Sequence, residues 1–326
     1  MAAWTRSSGA TGREAGTVTS EVFDLGGVVK ALSEAAAFIR GEGGEASWLA
    51  SPANAEAGRK QRELLRRLEA VRADLARIPE LEAWASLVAA ELNAILAREG
   101  FGIQLADWPQ DGQGFGVVAI LDLTVHWIET GAGDRQIRIA ANPRGGDPGA
   151  GARSYPAFAL DVTANGIGLF EAPGGGAPLI RIPTRSGDVV WIHQTPWAPR
   201  SFDLYDEAAR LQAGRGSAAA YGSVVEVTLP KIQLRREADI SWLAGMTADR
   251  FIVQEARQEV RFAMNEEGAR AKTATALGVR GAILQHIVVN DDFLLWIERP
   301  GLSIPVFAGY LAKHDAWRDP GSLANV

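Results

Sequence analysis

The sequence predicts an α+β protein in which helices come first and β-strands follow. Hydrophobic residues recur at helical spacing through the first hundred residues, and from about residue 115 the pattern changes to apolar runs divided by Gly and Pro turns. Helices followed by strands are typical of an α+β fold. No linker-like break divides the 326 residues. We therefore expect one domain over 21–315, a disordered tail over 1–20 and a C-terminal tail over 316–326.

Three helices are predicted before residue 100. The first covers 21–40 and ends at a glycine-rich run that starts at Gly41. Ser51 and Pro52 suit the cap and the first position of the second helix. Its apolar residues at helical spacing are Leu64, Leu65, Leu68, Val71 and Leu75. The third helix is predicted to end near Gly100, from the spacing of Leu81, Trp84, Val88, Leu92 and Ile95.

The rest of the chain is predicted to be mostly strands. Residues 115–128 form a long apolar run, which is typical of a strand buried on both faces. Strands up to about residue 195 are separated by Gly- and Pro-rich loops at 142–154 and 172–178. Short helices are expected at 202–213 and near 239–245, among further strands.

Composition and charge narrow the classes of partner. The net charge is −6 and the isoelectric point is near 5.4, which argues against nucleic acid or an anionic membrane as the main partner. The chain has no cysteine, so disulfides, thiol catalysis and cysteine metal sites are excluded. No run reaches the length of a membrane span, and residues 1–18 lack the apolar centre of a signal peptide. We expect a monomer, with the cytoplasm as the default location.

The sequence lacks the common motifs of enzyme and metal sites. The four histidines are His126, His193, His286 and His314, and no two of them have a metal-binding spacing. No G-x-S-x-G elbow, phosphate-binding loop or dinucleotide fingerprint is present. The sequence therefore predicts no catalytic residues, no metal and no cofactor. An unrelated α+β enzyme with a triad assembled from distant residues is an open alternative.

Residues 265–276 can be interpreted either as a loop or as a strand. With period two, one face carries Ala269, Ala271, Thr273, Thr275, Leu277 and Val279. The other face carries Arg270, Lys272, Ala274, Ala276, Gly278 and Arg280. The first face has no charge, so the segment could enter a sheet with small side chains toward the core. Gly268 and the polar flanks also suit an exposed loop, or an ordinary hairpin connection, so the segment is a candidate conformational switch.

Several motifs, in order, resemble those of the serpins, a family of suicide inhibitors of serine and cysteine proteases. Asn265-Glu266-Glu267-Gly268 and the small residues after it resemble the hinge of the serpin reactive loop. The other matching segments are 225–232 (VEVTLPKI), 242–247 (WLAGMT), 292–297 (DFLLWI) and 306–311 (VFAGYL). Weaker similarities upstream are Ser51-Pro52, the run 117–127, and the strands 180–183 and 188–192. The resemblance implies a serpin-like fold, with N-terminal helices packed on a large mixed or antiparallel central sheet and an exposed reactive-centre loop over about 266–290.

The resemblance also implies roles for particular residues. Glu266, Glu267, Gly268, Ala269, Ala271, Thr273 and Thr275 correspond to the hinge and the inserting strand. Spacing from the hinge places the scissile bond at Ala282-Ile283, with Arg280 and Gly281 as near alternatives. Ser51, Asp122 and Gln258 correspond to the region where the sheet opens. Asp122 stands where the family has Asn, and Gln258 where it usually has His. The chain is also shorter than a usual member of the family.

The implied function is that of a serine protease inhibitor acting as a suicide substrate. The loop is cleaved, an acyl-enzyme forms, the hinge side of the loop inserts into the sheet, and the protease is trapped. If Arg280 precedes the cut, the target is trypsin-like. If Ala282 precedes it, the target is elastase-like or subtilisin-like. The alternative is a non-inhibitory binding protein on the same fold.

Overall fold

The computed structural model describes residues 18–40, 47–108, 114–121, 123–139, 152–217, 222–267 and 285–323. The helices of these residues are α1 (Leu25–Arg40), α2 (Ala55–Asp74), α3 (Ala89–Arg98), α4 (Phe202–Ala213) and α5 (Lys313–Ala316), with 3-10 turns at Leu75–Arg77 and Ser241–Leu243. The strands are β1 (Glu21–Val22), β2 (Leu81–Ser86), β3 (Gly114–Leu121), β4 (Ala132–Ile139), β5 (Arg153–Asp161), β6 (Gly168–Phe170), β7 (Leu179–Pro183), β8 (Val189–Gln194), β9 (Val224–Pro230), β10 (Ile232–Ala238), β11 (Thr247–Ala248), β12 (Phe251–Ala256), β13 (Gln258–Met264), β14 (Gln285–Val288), β15 (Phe293–Glu298) and β16 (Phe307–Leu311). The predicted α+β class is confirmed.

A six-stranded antiparallel sheet lies at the centre of the molecule, in the order β1-β16-β15-β8-β7-β6. Its strand β15 is buried on both faces. Leu294 and Trp296 face a core formed with α1 and α4, and Trp296 stacks on Trp191 with ring centroids 5.8 Å apart. The alternate residues Leu295 and Ile297 face a second core formed with β5, β9 and β13. This period-two division explains why the strand is apolar at almost every position.

Two smaller sheets and a two-stranded ladder surround this centre. A mixed sheet has the order β11-β12-β3-β2, and β10 pairs with β13 in a separate antiparallel ladder. A third sheet, in the order β14-β9-β5-β4, ends at β14, which pairs in parallel with β9. The predicted scissile bond falls between β13 and β14 in the sequence, outside the described residues.

The prediction of a helix beginning at residue 81 is wrong. Residues 81–86 form β2, which pairs with β3 from Leu81 opposite Leu121 to Ser86 opposite Gly116, and α3 begins only at Ala89. Helical spacing at Leu81 and Trp84 is overridden by pairing with a neighbouring strand, an interaction that local sequence does not show. The first helix likewise begins at Leu25 and not at 21.

The first helix is delayed because the two residues at 21–22 pair with β16. Asp24 then begins the helix, since its carboxylate accepts a hydrogen bond from the Gly27 amide at 2.8 Å. The helix predicted at 202–213 is confirmed as α4. The predicted domain limits stay a prediction. Just beyond them, Trp317 is 3% exposed and its ring contacts those of Tyr155 and Phe293.

Candidate functional site

β3 and the segment formed by β12 and β13 run in the same direction. They are paired at one end, where β12 lies, and separated at the other, where β13 lies. β3 pairs in parallel with β12 from Gly114 opposite Ile252 to Val117 opposite Ala256. The chain then continues into β13, whose outer edge is occupied by β10, while the outer edge of β3 is occupied by β2. Among the described residues no ladder joins β13 to β3, so their inner edges face each other without pairing. We call this gap the slot; its walls are residues 118–121 with 123–125 and, opposite, β13.

Cavities follow the slot from its lower to its upper end. The lowest lies between Val117 and Gln258, and the highest lies beside Trp127 and Asn265. The largest of these slot cavities has a volume of about 180 Å³ and reaches from Phe101 on the outer face to Ile297 of β15 on the inner face. The gap therefore passes through the sheet, as it would if one strand were missing.

The lower end of the slot is closed by contacts between α1 and β13. Gln258 is 3% exposed, and its side chain accepts from the Asp24 amide at 3.0 Å and donates to the Asp24 carbonyl at 2.9 Å. The Asp24 carboxylate is itself buried, at 4% exposure. Burial raises the pKa of Asp24 to about 6, although the backbone amides of Gly27 and Gly26 act in the opposite direction. A titratable carboxyl therefore lies at the base of the slot.

The upper end of the slot is fixed by contacts to the backbone of Asn265 and Glu266, where the chain leaves β13. The Trp127 indole donates to the Asn265 carbonyl at 2.8 Å, and the Gly131 amide donates to the Glu266 carbonyl at 3.1 Å. A Cβ at Gly133 would overlap the Glu266 carboxylate, so a larger residue there would require this carboxylate to move. The point at which the chain leaves β13 is thus positioned by hydrogen bonds from the segment that follows the β3 wall.

Lys231 joins Glu266 to Asp319, which lies in a distant part of the sequence. Its ammonium lies 2.9 Å from Glu266 and 2.9 Å from Asp319, and the residue is 7% exposed. Burial lowers the pKa of Lys231, but the hydrogen bonds with the two carboxylates outweigh it and hold the pKa above its ordinary value. The lysine is therefore charged at neutral pH and neutralises part of two acidic groups at the top of the slot.

A strap of residues 99–108 crosses the outer face of the slot. The Gly102 amide donates to Glu259 of β13 at 3.2 Å, and Arg261 donates to the Gly100 carbonyl and lies over the Phe101 ring, 4.2 Å from its centroid. Burial raises the pKa of Glu259, but hydrogen bonds from Arg235 and Arg261 outweigh it and hold that pKa below its usual range. A strand that fills the slot would have to pass beneath this strap.

Several solved structures that are similar to this chain are serpins. Over 90% of this chain and 91% of the other, mouse protein-Z dependent protease inhibitor superposes with a TM-score of 0.50 at 10% identity. Uncleaved ovalbumin superposes over 89% of this chain and 92% of its own, with a TM-score of 0.52 at 11% identity. The chain has a serpin-like fold.

Other comparisons add less. A serpin from Schistosoma mansoni aligns at 14% identity with a TM-score of 0.44, and the chain spans only 63% of its length. No protein-family model and no curated protein sequence matches the chain. The identities are so low that the similarity is one of fold.

The serpin-like fold brings together only some of the residues that were singled out in the sequence. Glu266 and Glu267 lie at the upper end of the slot, and Gln258 lies at its lower end. Ser51 is exposed and lies beside Gly245, away from the slot walls. The remaining predicted site residues lie outside the described residues: Asp122, Gly268, Ala269, Ala271, Thr273, Thr275, Arg280, Gly281, Ala282 and Ile283.

The described residues carry neither an evident metal site nor a membrane helix. Within the described ranges, no three His, Asp or Glu side chains are grouped so that they could hold a metal ion. Of the helices described, none combines the length and apolar character needed to cross a bilayer.

Several side chains of the site carry no clear signal in the sequence. Asp24 lies within the helix predicted at 21–40, and Trp127 lies within the strand predicted at 115–128, so neither position indicates its contact in the slot. Lys231 stands in the L-P-K part of a recognised motif, which was a signal for it. Asp319 and Leu323 had no signal, because their contacts are with residues about 55 to 90 positions earlier.

Proposed function

We propose that the protein is an inhibitor of serine proteases that traps its target by inserting the hinge side of its cleaved loop into the slot. The observation that supports this proposal is the slot itself: two parallel strands whose inner edges are unpaired, with the hinge leaving from the top of one of them. A strand added between them would satisfy both rows of backbone groups.

The chemistry of the first step belongs to the protease. Its serine oxygen attacks the carbonyl carbon of the residue before the cut, which spacing places at Ala282. The peptide bond to Ile283 breaks, the new amine takes a proton and leaves, and an ester joins the loop to the protease. Water would normally hydrolyse this ester. If the loop inserts first, the attached protease is dragged along and the geometry of its oxyanion hole and general base is lost.

The slot also accounts for the alternation of side chains in the loop. The floor beneath it is formed by buried residues of the central sheet, among them Ile297 and Phe307. A charged side chain pressed against these residues would cost several kcal/mol. The uncharged face of 269–279 suits this floor, and the face with Arg270 and Lys272 suits the outer side.

A matched pair of variants tests insertion. Thr275→Glu places a charge on the face expected to enter the core, and Ala274→Glu places the same charge one residue away, on the outer face. Each is mixed with elastase, subtilisin and trypsin, and the products are boiled in detergent. We expect a covalent complex with wild type and with Ala274→Glu. Thr275→Glu should be cleaved at a similar rate but release active protease. Cleavage without a complex in wild type overturns the proposal.

The second candidate is a non-inhibitory binding protein on the same fold. It is favoured by Gln258, which bonds to the backbone of Asp24 in place of reaching across to the β3 wall. It is also favoured by the strap, which Glu259 and Arg261 hold across the slot. The two candidates differ in what cleavage does to stability. Nicking the loop with a non-target protease should raise the melting temperature sharply if the loop inserts, and leave it almost unchanged if the protein is a non-inhibitory binder.

A further inference from the structure

Residues 319–323 lie across the upper end of the slot. They follow α5 and Trp317, whose buried ring fixes the direction of the chain at this point. From there the chain passes over the end of β13, and Leu323 contributes to the walls of the two upper slot cavities. In those cavities Leu323 lies with Val125 of one wall and Ala263 of the other.

Polar contacts link this segment to the three described residues of the hinge, directly to Asn265 and Glu267 and through Lys231 to Glu266. Asp319 shares Lys231 with Glu266, at 2.9 Å from the ammonium. The Asn265 amide group donates to the Gly321 carbonyl at 2.6 Å. The Glu267 carboxylate accepts from the Ser322 hydroxyl at 3.3 Å and from the Leu323 amide at 3.1 Å. Asn265, Glu266 and Glu267, which have to move when a serpin-like loop inserts, are therefore the residues that hold 319–323 in place.

The segment and an inserted strand cannot occupy the upper slot together. A new strand has to reach the backbone of both walls, and strands that pair lie about 4.8 Å apart. Leu323 lines the two upper slot cavities together with Val125 of one wall and Ala263 of the other, so it occupies space next to both backbones. Insertion would also take Glu267 away from its contacts with Ser322 and Leu323.

We propose that residues 319–323 form a latch that closes the upper end of the slot, so that a strand can enter only after the latch moves away. This inference rests on the proposed function, because it concerns how the slot is opened. Asn265 and Glu267 of the hinge contact the latch directly, so withdrawal of the hinge removes two of the latch's partners at once and separates Glu266 from the lysine that it shares with Asp319. Latch release and insertion are therefore coupled.

The absence of cysteine from the chain allows a direct test. Glu267→Cys and Ser322→Cys are introduced together, since their wild-type side chains are in contact, and the pair is joined by a disulfide or a short bismaleimide. The probe is a fluorescent peptide with the sequence of residues 268–279, whose uptake is followed by native gel and fluorescence anisotropy. Each single-cysteine variant, treated in the same way, is the control.

We expect the reduced double variant and both controls to take up the peptide, and the crosslinked form to do so at least about tenfold more slowly. Leu323→Ala, which shortens the side chain that lines the two upper slot cavities, should speed uptake several-fold. Val88→Ala, at an exposed site in another part of the molecule, should not. Equal uptake by crosslinked and reduced forms overturns the latch and leaves the proposed function standing. No uptake by either form, or by Leu323→Ala, overturns both.

Discussion

The buried carboxyl of Asp24 should make the stability of the protein depend on pH in an unusual direction. Its pKa is about 6 in the folded protein, against an ordinary value of 3.8. A carboxyl whose pKa is raised by folding stabilises the folded state fully below pH 3.8. That stabilisation is lost as the pH rises through about 6. The difference of about 2 pH units corresponds to about 3 kcal/mol of the free energy of unfolding.

Asp24→Asn isolates this contribution. The amide carbonyl can still accept the hydrogen bond from Gly27, but the group no longer takes up a proton. Relative to wild type, the variant should therefore gain about 2–3 kcal/mol between about pH 4 and pH 8, because any fixed cost of the NH2 group is the same at every pH and cancels from this change. Urea unfolding followed by tryptophan fluorescence at intervals across that range gives the difference directly.

The matched control is Asp203→Asn, at the start of α4. This aspartate also lies in the first turn of a helix, but it is exposed. Its difference from wild type should change little over the same range. A difference between Asp24→Asn and wild type that stays constant with pH would refute the reasoning, because burial of the charged form is its only source.

Two further predictions concern the upper end of the slot. Lys231→Met removes the cation shared by Glu266 and Asp319 and should lower the free energy of unfolding by about 1–3 kcal/mol. The control Lys30→Met breaks an exposed pair with Glu34 and should cost less than about 0.5 kcal/mol. Equal losses in urea unfolding would contradict a special role for Lys231. Trp127→Phe keeps an aromatic ring beside Phe158 but removes the donor to the Asn265 carbonyl. Thermal unfolding should therefore show a loss of about 1–2 kcal/mol of stability. If the loss is no greater than that of the control Trp197→Phe, at an exposed site, this hydrogen bond does not stabilise the protein.

Much of the fold could be predicted from the sequence because its local signals agree with its tertiary structure. The helix at 202–213 has apolar residues at helical spacing, and β15 is apolar at nearly every position because both of its faces are covered. The prediction failed at 81–86, where pairing with β3 decides the conformation. A prediction from the spacing of apolar residues cannot detect such pairing when the segment also has helical spacing.

The residues of the slot also divide into those with a local sequence signal and those whose role depends on contacts with distant parts of the chain. Glu266, Glu267 and Gln258 were found because they stand in recognisable motifs. The latch was not, since Asp319, Gly321 and Leu323 have side chains or backbone groups that are ordinary in any loop. What gives them a role is that α5 and Trp317 direct the chain back over β13, and only the folded structure shows this.

The geometry of the slot also bears on how deep an inserted strand can go. The open walls span about eight residues, or about 26 Å at the rise of a strand, whereas residues 269–279 number eleven. For the last three residues, 277–279, to enter as well, β3 would have to separate from β12, with which it pairs from Gly114 to Val117. That step breaks the ladder between β3 and β12 but forms a new ladder on each side of the inserted strand, so the final state has more hydrogen bonds. Its cost is therefore kinetic: the old ladder has to break before the new ones form. The ladder has a register shift between Val253 and Glu255, where its hydrogen bonding is interrupted, and we expect separation to begin there. Insertion through the open slot should therefore be fast once the upper end is free, and separation of β3 from β12 should be the slower step that completes it.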